Sequence, residues 1–130
     1  MDSRRKIVSG EEAAAAAARL RDEGRKVCIL TGYFDPLLAV HAEELEKAVA
    51  DGSALMVVVG SPADPLLPER ARAELVAGLR STDYVVAAQG EAAEQIAARI
   101  PHDSLQHQEA EDDRRRAELI LHVQHRCQQQ

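Results

Sequence analysis

The stretch Lys26-Val27-Cys28-Ile29-Leu30-Thr31-Gly32-Tyr33-Phe34-Asp35-Pro36, running on through His41 to Ala50, decides the fold. Val27 to Thr31 is an apolar run of strand type. Gly32 to Pro36 reads as a tight loop, in which Gly32 permits close approach of the backbone and Asp35-Pro36 stiffens the turn. From His41 onward Ala42, Leu45, Ala48 and Val49 share one helical face, with Glu43, Glu44, Glu46 and Lys47 mostly on the other. A strand, a loop and a helix start in that order place a candidate ligand site at the strand's carboxyl end, where the helix N-terminus offers free N–H groups to a phosphate.

Working outward, the same alternation continues on both sides. Upstream, Ser9 followed by Glu12 forms a capping box, the alanine-rich run to Leu20 has high helix propensity, and Gly24 ends the helix. Downstream, Asp51-Gly52-Ser53 stops the second helix. Ala54 to Gly60 is continuously apolar, as in a strand buried on both faces. The loop Ser61 to Pro68 holds three prolines and cannot be regular structure. A helix is predicted from Pro68 or Glu69 to about Arg80-Ser81, a strand over Asp83 to Ala88, and a helix from Glu91 to Ile100, stopped by Pro101. His102 to Gln108 reads as a short fourth strand or a loop, and Ala110 to Arg126 as a charged helix. The pattern implies a parallel sheet with helices on both faces, an α/β Rossmann-like three-layer α/β/α sandwich.

The chain of 130 residues has the size of one domain, residues 1–130, with fraying expected over 1–8 and 127–130. It is 45% apolar and 29% charged, without an apolar run of membrane-spanning length, so a soluble protein that does not enter membranes is expected. No apolar segment follows the basic residues Arg4, Arg5 and Lys6, so no signal peptide is expected. A formal charge of −6 argues against nucleic acid as partner, and with Tyr33, Phe34 and Tyr84 as the whole aromatic complement there is no platform for stacking bases. Cys28 and Cys127 are far apart, which suggests reduced thiols and a cytoplasmic location. His122 and His125 share a helix face without a second ligand pair, so no metal site is assigned there. Glu111-Asp112-Asp113-Arg114-Arg115-Arg116 reads as a solvated turn at a helix start.

Gly32, Phe34, Asp35 and His41 match the signature G-x-F-D-x-x-[H/T]-x-G-H of the nucleotidyltransferase superfamily, which this stretch resembles. Leu38 stands where the signature has its first His or Thr, and Val40 where it has Gly. The resemblance extends through Arg72-Ala73-Glu74-Leu75 and Asp83-Tyr84-Val85-Val86, which match segments of the ADP-heptose synthase and glycerol-phosphate cytidylyltransferase type in the same order. It covers roughly Ile7 to Ile100. Beyond that, Gln106-His107-Gln108-Glu109 replaces the Lys-Gly-Gly-Asp of those relatives, and their later Ser/Thr-rich turn is not visible.

The resemblance implies a nucleotide- or phosphate-binding set of Thr31, Gly32, Tyr33, Phe34, Asp35 and Arg72, with His41 as the surviving catalytic candidate. In such sites paired His side chains stabilise charge developing on a nucleotide phosphate. Leu38 has no donor to contribute, and the isopropyl group of Val40 is expected to narrow the space beside the loop. The implied reading is a domain with impaired catalysis that keeps affinity for a nucleotide or phosphorylated small molecule. One alternative is an active cytidylyl- or adenylyltransferase using Mg²⁺ and releasing pyrophosphate. Another is a structural or interaction module, as a homodimer. Asp35 is also expected to organise its own turn, and Arg72 and Arg70 to lie on a solvated helix face if they do not reach a phosphate.

Overall fold

A computed structural model of the chain describes residues 2–128, the last two by their backbone alone. The fraying expected at Met1, Gln129 and Gln130 lies outside the described residues. Strands β1 (Val27–Gly32), β2 (Ala54–Val59), β3 (Tyr84–Ala87) and β4 (Ser104–His107) form one parallel sheet in the order β3-β2-β1-β4. The helices are α1 (Gly10–Asp22), α2 (Ala39–Ala48), α3 (Glu69–Ala77), α4 (Ala93–Ala98) and α5 (Glu109–Gln128), after a short 3-10 helix over Ser3–Lys6. The fold is the α/β sandwich that the alternation of strands and helices implies.

Side-chain alternation along the strands sorts the core into two layers. Val27, Ile29, Ala54, Met56 and Val58 pack against Ala13, Ala16, Ala17 and Leu20 of α1 and Ile96 and Ala97 of α4. Cys28, Leu30, Leu55, Val57 and Val59 face Leu45 of α2 and Ala73, Val76 and Ala77 of α3. The alanines of α1 thus have a packing role: small side chains let the helix lie close to the sheet.

Local signals account for most boundaries. Ser9 caps α1 by accepting from the Glu12 N–H at 3.0 Å, the Glu12 carboxylate returns to the Ser9 N–H, and Gly24 at φ 87° closes the helix. α4 starts at Ala93 and not at Glu91 because Gln89 and Gly90 both adopt positive φ and hold the chain in a turn. α3 stops at Ala77, ahead of Arg80, where Gly78 caps it. The stretch after Pro101 resolves as strand β4, paired from Cys28↔Ser104 to Thr31↔His107. Two aspartates bind the strands at their entrances: Asp83 accepts from the Leu55 N–H and Asp103 from the Val27 N–H, each at 2.8 Å.

Candidate functional site

With β2 on one side of β1 and β4 on the other, the chain leaves β1 toward β2 and later crosses from β3 to the far side of β1 to enter β4. The carboxyl ends of β1 and β4 flank this change of direction, the usual ligand position in sheets of this kind. The loop that leaves β1 forms the floor of that position. Phe34 is fully buried and takes φ 50°, a left-handed conformation uncommon for a bulky residue. Its ring packs edge-on against His41 with centroids 5.1 Å apart. This geometry turns the Tyr33 and Phe34 N–H groups into the same space, a concave backbone nest suited to an anion.

That space is filled from within the chain. The carboxylate of Asp112, on the first turns of α5, reaches the loop with Oδ2 2.7 Å from the Tyr33 nitrogen and 3.4 Å from that of Phe34. Its Oδ1 lies 2.7 Å from Nε2 of His41, and both side chains are almost wholly buried. His41 Nδ1 accepts the Leu38 N–H at 2.8 Å. That nitrogen therefore carries no proton; the proton sits on Nε2 and is donated to Asp112. Gly32 makes the approach feasible, since a Cβ there would stand 2.8 Å from Asp112 Oδ2 and 3.0 Å from the Phe34 ring.

Sequence reasoning assigned Asp112 to a solvated turn, and the structure corrects this. Its neighbours Arg115 and Arg116 are also largely covered. Arg115 pairs with Glu44 of α2 at 2.5 Å, and Arg116 lies 3.7 Å from Asp35 while donating to the Asp64 carbonyl. The Gln108 amide NH₂ donates to Glu44 at 2.8 Å. Only Asp113 and Arg114 of that run keep exposed positions beside Glu111. The one available signal was an aspartate early in a helix that follows a stretch read as a strand or a loop; its destination depends on which strand β4 pairs with.

The other expected site residues divide by role. Thr31 is buried and its hydroxyl bonds Nδ1 of His107 at 2.7 Å, linking β1 to β4. Asp35 is buried and accepts from the Leu66 and Leu67 N–H groups at 2.7 and 2.8 Å, so its carboxylate organises the proline-rich loop and not, as expected, its own turn. Arg72 is neither on a solvated face nor free to take a phosphate. It is fully buried, and its guanidinium donates to the Tyr33, Gly60 and Leu67 carbonyls and to the Ser61 hydroxyl at 2.6 to 3.0 Å. Arg70 is exposed and pairs with Glu74. Val40, expected to narrow the space, is exposed, and Leu38 contributes its backbone N–H to His41. The occupant is Asp112.

The mouth of the corner is acidic. Burial first, and then the carboxylates of Asp113, Glu109 and Asp112, push the Tyr33 phenol pKa above its ordinary value. A groove of about 640 Å³ runs alongside, lined by Glu44, Lys47, Gln106, Gln108 and Arg115 among others, but none of Gly32, Tyr33 or His41 lines it. Among the described residues no three His, Cys, Asp or Glu side chains form a metal-binding group. His122 and His125 are on α5, and the Cys127 side chain lies outside the described residues. A Mg²⁺ ion does not fit the corner as built: it presents N–H donors, and its carboxylates already accept from them. No helix of the described residues is long and apolar enough to cross a membrane.

No protein-family model matches the chain. The bifunctional protein HldE of Wolinella succinogenes is 34% identical over 94 residues, 65% of this chain and 20% of that protein. The HldE of Acidiphilium cryptum is 40% identical over 93 residues, 63% of this chain and 19% of that protein. The HldE of Shewanella denitrificans is 32% identical over 108 residues, 76% and 23% of the two chains. The match therefore spans about a fifth of the length of these relatives. Among solved structures, a lipopolysaccharide core biosynthesis protein from Thermoplasma volcanium aligns with a TM-score of 0.50 at 17% identity, covering 62% of this chain and 94% of that one. That likeness establishes the shared fold.

Proposed function

We propose that the chain is a nucleotidyltransferase-like domain, related to part of the HldE proteins, whose transfer chemistry has lapsed. The observation that carries this reading is the state of His41. Its Nδ1 is occupied by the Leu38 N–H, its Nε2–H by Asp112, and no second imidazole stands at position 38. Stabilising charge on a transferring phosphoryl group needs donors aimed at that group, and loss of one such donor typically costs a factor of about 10² to 10³ in rate. Here one donor is missing and the other is engaged by an internal carboxylate. Affinity for a nucleotide or phosphorylated small molecule is weak on this reading, since a ligand must displace Asp112 from an acidic setting. A cytoplasmic location belongs to the same proposal, consistent with the free thiol of buried Cys28.

Pyrophosphate release is the test, with CTP or ATP, Mg²⁺ and a set of sugar and polyol phosphates. We expect no release above the protein-free rate. Sustained release that disappears in His41→Ala would establish the active transferase instead.

A second reading, an interaction module acting as a homodimer, is favoured by one observation. Leu121 and Val123 of α5 are 65% and 52% exposed, on a part of the helix that enters neither apolar layer. Sedimentation velocity separates the two, because a concentration-dependent dimer weakened by Leu121→Glu supports the module.

A further inference from the structure

We infer that the first turns of α5 are a displaceable lid, and that Asp112 is an internal substitute for a phosphate group, so that the corner takes up a free polyphosphate anion when α5 moves aside. The inference rests on reading the corner as an inherited phosphate site and adds to that reading a means by which the site is closed.

Three observations carry it independently of the sequence motif. First, the Asp112 carboxylate, a pure acceptor, is met by two backbone N–H groups and an imidazole N–H, the donor set an anionic phosphate oxygen requires. Second, α5 supplies no described residue to either apolar layer of the core. Its hydrogen bonds and ion pairs to the body run from Asp112 to the corner, from Arg115 to Glu44, from Arg116 to Asp64 and beside Asp35, and, from Gln108 just ahead of the helix, to Glu44 and the Thr31 carbonyl. Each of these groups has an equivalent partner in water or in an added anion, whereas a buried leucine has none.

Third, at the seam between α5 and the body Gln108 Oε1 makes no hydrogen bond within the chain, and Arg116 Nε meets Asp35 as an ion pair and not as a hydrogen bond. Arg116 Nε stands 3.7 Å from a carboxylate oxygen of Asp35, beyond hydrogen-bond reach. Within the chain, the seam is held by fewer hydrogen bonds than its buried polar groups could make.

The test uses the full chain and inorganic pyrophosphate as probe, followed by isothermal titration and by backbone amide NMR. Asp112→Ala removes the internal anion and is expected to bind pyrophosphate at least about tenfold more tightly than the wild type, with the largest shifts at the Tyr33 and Phe34 amides. Adding His41→Ala is expected to remove that gain. Gln108→Ala removes a bond that ties the start of α5 to Glu44, at a side chain that does not bond Asp112, His41 or the Tyr33 and Phe34 amides, and is expected to give a smaller gain in the same direction. This second variant keeps the test decisive if Asp112→Ala melts early. Unchanged affinity in a folded Asp112→Ala and in Gln108→Ala overturns the lid, as do shifts confined to the arginines of α5. Turnover of nucleoside triphosphates by the wild type overturns the lapsed-transferase reading alone, whatever the binding variants do.

Discussion

The two flanks of β1 are built by different physics. Toward β2, every residue of both strands is buried, Ala54–Val59 is apolar throughout, and α2 and α3 cover that face with Leu45, Ala73, Val76 and Ala77. Toward β4, all four strand residues are exposed, and the following helix is held by a carboxylate, amides and guanidinium groups. The first flank draws on burial, which is non-directional and tolerates detail; the second draws on directional polar contacts, each of which must meet its partner. The ligand corner lies on the boundary. The scaffold could therefore persist while the contents of the corner changed, because different forces maintain them.

The largest test concerns a strongly polar contact on the β2 flank. Arg72→Ala strands the Tyr33, Gly60 and Leu67 carbonyls in a buried space, so a loss of about 4 kcal/mol in urea unfolding is expected. Arg72→Lys should recover little, since a single ammonium cannot span the same carbonyls. A mild effect would mean that burial alone holds this flank. Next comes Gly32→Ala, expected to cost about 2 kcal/mol because its Cβ meets both Asp112 and Phe34. In an Asp112→Gly background the penalty should shrink without vanishing, since the Phe34 contact remains. An additive pair would separate the two flanks more sharply than the structure does.

A pH dependence sharpens the comparison at the strand entrance. The Val27 N–H, and further down the Arg21 guanidinium, hold the Asp103 carboxyl below its usual pKa in spite of partial burial. With the folded pKa below the unfolded one, the stabilisation is present above the ordinary carboxylate range and is lost as pH falls through the folded value. Asp103→Asn should thus lower stability at neutral pH and flatten the acid limb, as read by urea melts at pH 7 and pH 3. The smallest effect is expected at Leu121→Ala, which should change stability by less than about 0.5 kcal/mol because the side chain is 65% exposed. A larger loss that scales with protein concentration would show that the far half of α5 has a partner.

Much of the fold was legible because its signals act over a few residues. Ser9 and Glu12 cap α1 within one turn, the apolar run of β2 declares a strand buried on both faces, and Gly24 marks a helix end through its positive φ. The same range explains what was not legible. Arg72 reads locally as one charged residue on a helix, and only the meeting of the β1 loop with the end of β2 shows that it is enclosed by carbonyls.

The sequence by itself determined the alternation of strands and helices, the loop after β1, and the absence of a donor at Leu38 and of a glycine at Val40. The tertiary structure decided what occupies that loop. Asp112 is separated from Tyr33 and His41 by 79 and 71 residues, and its carboxylate reaches them because β4 pairs with β1 and delivers α5 to the carboxyl end of β1. Periodicity and capping report on neighbours within a turn or two. The partner of a buried charge is set by sheet order, which no local pattern encodes.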